Sequence, residues 1–203
     1  MHPKLEFFVR GLILAPVIPL AGLLAFWWAA YALLPESWIP FAAITGLLVG
    51  ILLDVFLLKK LLDRRLGLLF WVAVFLFYSI GLFGFFMGVP VFNALLAVPA
   101  GFIVGGRLAA ENADRLRLHT AAHRTAWFTS GVLALICAAS AFIALVSSST
   151  ASDLQGLLGL GFNVTQAMII ALILVGGVAL LALDWGLSVA SVRAAYIFLH
   201  RKV

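Results

Sequence analysis

Two carboxylates stand inside apolar runs of this chain, Asp54 in GILLDVFLLKK and Asp184 in LALDWGLSV. An ionisable group is expensive in hydrocarbon, and such groups face the interior of a helix bundle, a partner or a water-filled cavity. Asp54 closely precedes Lys59 and Lys60, and either long stem can curl back to meet it. Asp184 has no basic residue within a helical turn on either side, so it needs a partner from another helix, water or a proton. Asn93, in MGVPVFN, is the third candidate. It follows Pro90, where a break between two apolar runs frees helix-terminal amides able to bind an anion or a polar headgroup. Its other reading is a turn asparagine that satisfies its own backbone. Pro90, Asn93 and Pro99 make this the least regular backbone within the apolar runs, with Tyr78, Thr165 and Gln166 as further polar lining. The chemistry these residues imply is binding of a small solute or ion, with Asn93 at an outer mouth and Asp54 and Asp184 deeper.

A second group lies in the polar interlude GRLAAENADRLRLHTAAHR, residues 106–124. Glu111, Arg115, His119 and His123 recur at i,i+4 and share a face on a continuous helix. The two histidines resemble part of a metal site, but no HExxH is present and, on spacing alone, two ligands do not make a site. The segment reads as an amphipathic extension of the preceding span, with Glu111 paired to Arg115. A partner or headgroup surface, and metal or acid and base chemistry, are its alternatives. No Walker lysine motif, GxSxG, paired CxxC, TVGYG-like filter or facing histidine pair for haem occurs, so no cofactor is expected. The two aspartates lack the GxGD or YD setting of an intramembrane protease. The single cysteine, Cys137, excludes an intrachain disulfide framework.

The elements that must position these groups follow from composition. Hydrophobic residues make up 65% of the 203 residues and charged residues 10%, against about 45–50% and about 25% in soluble globular chains. Mean hydropathy is +1.20. The apolar runs are continuous over about 16 to 25 residues, which predicts spanning helices and not the short alternating strands of a barrel. The net charge of +5 is read as an orientation and lipid-headgroup device, with no nucleic acid as partner.

The expected fold is all-α, a polytopic membrane protein with six transmembrane helices in one domain, residues 1–203, and both termini cytoplasmic. The spans are 11–34, 41–58, 66–88, 91–105, 127–146 and 164–192, with 147–161 as an external loop. Under this arrangement all 13 Lys and Arg residues fall on one side: Lys4, Arg10, Lys59, Lys60, Arg64, Arg65, Arg107, Arg115, Arg117, Arg124, Arg193, Arg201 and Lys202. Basic residues in short loops mark the cytoplasmic side. The fourth span is short, about 23 Å at 1.5 Å per residue, and a re-entrant hairpin is its alternative. That alternative would move four arginines outward, against the charge rule. A bacterial or archaeal cytoplasmic membrane is the expected location.

Small residues predict where helices touch. Gly46 and Gly50, Gly84 and Gly88, and the ladder Ala97, Gly101, Gly105 and Ala109 repeat at i,i+4, a spacing that lets backbones approach closely. Pro16 and Pro19 predict a bend in the first span. Six spans in about 200 residues, glycine and alanine stripes and an irregular outward connection resemble the substrate-binding membrane subunit of an energy-coupling-factor uptake transporter. That resemblance implies a coupling partner in the membrane, docked on Ala21 and Ala25 of the first span. The alternative function is a non-transporting assembly partner or a lipid-modifying enzyme, with its groups at Glu111, Asp114, His119 and His123.

Overall fold

The computed structural model of the chain describes residues 3–63, 66–85, 89–159 and 161–200. Arg64, Arg65, Met87, Gly88, Arg201 and Lys202, used above, lie outside the described residues. Within them all regular structure is helical: α1 Pro3–Leu14, α2 Val17–Leu33, α3 Ile39–Asp63, α4 Leu68–Phe85, α5 Ala97–Ala110, α6 Arg115–Val146, α7 Thr150–Leu158 and α8 Gln166–His200, with 3-10 turns at Glu36–Trp38 and Pro90–Leu96. Among the described residues six segments are long and apolar enough to cross a membrane: Phe7–Leu33, Glu36–Asp63, Leu68–Phe85, Pro90–Ala110, Arg115–Val146 and Gln166–His200. The chain is an all-helical, multi-pass membrane protein. Large apolar side chains such as Trp28, Phe56, Leu135 and Val175 are exposed along these segments, as lipid contact requires.

The chain divides into two compact units, residues 2–74 and 75–203. In the first, the opening span is broken between α1 and α2 at Ala15–Pro16. Pro16 and Pro19 supply no N–H, so the carbonyls one turn earlier, Leu12 and Ala15, lose their α-helical donors. α2 then packs on α3 through small residues. A Cβ on Gly22 would collide with the Gly46 carbonyl oxygen, and one on Gly50 would sit 2.6 Å from Pro19 Cα. Ala43, Gly46, Gly50 and Asp54 form the buried stripe of α3.

In the second unit α8 packs against both α5 and α6. The ladder predicted in the fourth span is the contact face: Ala97, Gly101, Gly105 and Ala109 are all buried. A Cβ on Gly101 would lie 2.7 Å from Ser191 Cβ, and one on Gly105 would meet the Val192 carbonyl oxygen. Ser191 Oγ donates to the Val98 carbonyl at 2.6 Å. Gly84 behaves differently, since a Cβ there would meet nothing within 4 Å.

Three expectations change. The fourth span begins with a seven-residue 3-10 turn at Pro90–Leu96 before the 14 residues of α5; at about 2.0 and 1.5 Å per residue these total roughly 35 Å, enough for a hydrocarbon core of about 30 Å. Pro99 falls in the first turn of α5, where a missing donor is tolerated. Only the start of the polar interlude, residues 106–110, extends that span. α5 ends at Ala110, Asn112 adopts φ 49°, and Asp114 caps a new helix by accepting from Arg117 N at 2.9 Å. His119 and His123 therefore belong to α6, while Glu111 and Arg115 stand on opposite sides of the break. Finally, the expected loop 147–161 contains α7, because Ser149 Oγ donates to Asp153 at its start and Gly159, at φ 61°, closes its end.

Candidate functional site

The side chains with the strongest chemical demand meet between α6 and α8. Thr129 and Ser130 are adjacent on α6 and thus about 100° apart around the helix, an angle that lets both reach one carboxyl on a neighbouring helix. Asp184 and Ser188 are one turn apart on α8 and share a face. Asp184 Oδ2 accepts from Thr129 Oγ1 and from Ser130 Oγ, each at 2.8 Å. Thr129 Oγ1 lies 2.6 Å from Ser188 Oγ and 3.2 Å from the Ala126 carbonyl oxygen. Thr129 has one proton. If it goes to Asp184, the short contact to Ser188 requires Ser188 to donate to Thr129. The result is a directed chain, Ser188 to Thr129 to Asp184, with Ser130 as a second donor.

Burial makes this cluster costly unless it is completed. Thr129 and Ser188 are 0% exposed and Asp184 is 1% exposed. Asp184 Oδ1 is buried and has no hydrogen-bond partner. Among the described residues the carboxyl meets hydroxyls alone, with no Lys or Arg nitrogen. Two hydroxyl donors do not neutralise a full charge in an apolar surround, so the side of Oδ1 is where a cation or a proton would sit.

Asn93 lies in the 3-10 turn and is 3% exposed. Its Nδ2 donates to the Ser79 carbonyl of α4 at 2.7 Å, and its Oδ1 is buried without a partner. It is neither a self-satisfying turn residue nor part of the Asp184 cluster. Its bond ties the start of the fourth span to the third.

Asp54 lies in the other unit, 9% exposed, and its Oδ1 also lacks a partner. Gly46 faces Gly22 and Gly50 faces Pro19, so the helices run antiparallel and one further turn brings Asp54 opposite the Ala15–Pro16 break. Sequence reasoning allowed Lys59 or Lys60 to curl back toward it, and kept it as a site candidate; its place is on the buried stripe of α3. Of the further lining residues, Thr165 accepts from Met168 N at 3.4 Å at the start of α8, and Gln166 is exposed.

Thr129, Ser130 and Ser188 are absent from the sequence-based candidates. Their signal was weak because Ser and Thr are common in membrane helices, where each can bond its own backbone. The usable clue was spacing: Asp184 and Ser188 at i,i+4, and two adjacent hydroxyls in another apolar run. Comparison with protein families, with curated proteins and with solved structures returns no match.

Proposed function

We propose that this is an integral membrane protein, with both termini cytoplasmic in a bacterial or archaeal cytoplasmic membrane, that binds or transports a small solute or ion. The ion is a proton or a small hard cation held at Asp184. The observation that carries this reading is the fully buried carboxyl that accepts from hydroxyls alone and leaves one oxygen unpartnered. Carboxylate and hydroxyl oxygens are the donor set of hard cations, and intramembrane carboxyls mark ion and proton pathways. Thr129 is five residues beyond Arg124, about 7.5 Å along α6, so the site lies a short distance from the basic end, which the charge rule assigns to the cytoplasm.

Membership of a larger uptake transporter remains part of this proposal through the exposed Ala21 and Ala25 of α2. Lipid chemistry at the cytoplasmic face has less to support it, because Asp114 is engaged as a helix cap and Glu111 is the C-cap of α5. The test is flux in liposomes, with a pH-sensitive dye for protons and tracer for sodium or potassium, using wild type and Asp184→Asn. Loss of flux in a variant that stays monodisperse supports the reading. Wild-type flux and binding in Asp184→Asn would remove it.

A further inference from the structure

We propose that His119 and His123 form an open binding site for a divalent transition-metal ion. The two rings stand one turn apart on α6 with their Nε2 atoms 3.1 Å apart and their centroids 4.3 Å apart. Two imidazole nitrogens bound to one ion at 2.0–2.1 Å and separated by 3.1 Å subtend roughly 95 to 102° at the metal. That angle lies between the square or octahedral value of about 90° and the tetrahedral value of about 109°. The two ligand atoms are already at the spacing that one shared ion would impose.

Without metal the same contact is a hydrogen bond, with one Nε2 protonated and the other accepting. Metal binding needs both Nε2 lone pairs, so the protonated ring shifts its hydrogen to Nδ1, with no net proton released from a neutral pair. His119 is exposed and His123 half-buried, which gives access from solvent on one side. On the other, His123 packs against Trp185 of α8, with ring centroids 5.8 Å apart, and Trp127 meets Trp185 edge-on at 4.9 Å. These indoles hold one ligand in place.

No group of three His, Cys, Asp or Glu side chains capable of holding an ion occurs among the described residues. The remaining positions are therefore left to water or an incoming ligand, and the site is exchangeable. The arginines along the same turns of α6 repel cations held by charge alone. They disfavour magnesium or calcium more than zinc, copper or nickel, which bond to imidazole nitrogen.

Trp185 supplies the readout. Titrating the full-length protein in detergent with copper or nickel should quench a saturable part of the tryptophan emission, and zinc should reverse it when in excess, copper needing the larger excess. His119→Gln and His123→Gln should each abolish that phase, while His200→Gln retains it. Trp185→Phe should lower the amplitude of the quenching, because Trp185 is the indole against His123. Zinc should also protect His119 and His123 of the wild-type protein from carbethoxylation, read by mass spectrometry, which needs no variant to fold. A quenching phase that survives both glutamine substitutions overturns the site. So does a wild-type protein with neither saturable quenching nor zinc protection, in which case the pair is a hydrogen-bonded couple only.

Discussion

The hydroxyl chain at Asp184 makes a quantitative demand on stability. Thr129→Val keeps the shape of the side chain and removes its hydroxyl, so Asp184 Oδ2 loses one of two donors and Ser188, 0% exposed, loses its acceptor. Stranding a buried donor costs about 1–3 kcal/mol. Hydrogen bonds between membrane helices average about 0.6 kcal/mol and reach about 1.7, and Ser188 can turn back to its own helix carbonyl. The expected loss is therefore about 1–2 kcal/mol. Ser188→Ala alone removes the first donor in the chain and leaves Thr129 bonded to Asp184, for a loss of about 0.5–1 kcal/mol. The double variant has no stranded donor, so it should be no less stable than Thr129→Val, giving a favourable coupling of about 0.5–1 kcal/mol. Thr125→Val, which removes only a bond to the carbonyl of its own helix, serves as the control and should be near neutral. Equilibrium unfolding in mixed micelles measures all four. Losses that simply add in the double variant would refute the directed chain and, with it, the account of Asp184 as a carboxyl fed only by hydroxyls.

Close packing gives a sharp contrast: Gly105→Ala should lower the melting temperature in detergent, by about 1–3 kcal/mol of overpacking, because its Cβ would press on the Val192 carbonyl and lie 2.9 Å from Ala195 Cβ. Gly84→Ala, with open space at its Cβ, should be neutral or slightly stabilising. Asn93→Leu should cost about 1 kcal/mol by removing the bond to Ser79, and a melt indistinguishable from wild type would show that tie to be idle. For orientation, cysteines placed at Ser37 and Ser149 should label from outside intact cells and one at Ala121 only after permeabilisation. Labelling of Ala121 from outside would revive the re-entrant fourth span.

Much of the scaffold was legible in the chain because hydrocarbon imposes simple rules. A backbone in lipid must satisfy its own hydrogen bonds, so long apolar runs become helices and their number follows from length. The ladder from Ala97 to Ala109 announced a close contact for the same reason, since only small side chains let helices approach. The break at Pro16 followed from a missing N–H. Where local chemistry competes with a general rule, the prediction slipped. The helical spacing from Glu111 to His123 suggested one continuous helix, but Asp114 offered its carboxylate to Arg117 N and started a new one. The apparent loop after α6 folds in part as α7, with a Ser149–Asp153 side-chain bond at its start and a left-handed Gly159 at its end.

The sequence by itself determined that this is a membrane chain, how many segments are long enough to cross, and which carboxylates would be costly, because each follows from the transfer energy of residues taken one at a time. Only tertiary structure decided what those carboxylates meet. Asp184 finds Thr129 and Ser130 more than fifty positions away, Asn93 finds the Ser79 carbonyl, and Asp54 continues a glycine stripe instead of turning to its own lysines. Pairing across helices depends on rotation and register between them, and those are set by the summed fit of many small side chains, which no local spacing encodes.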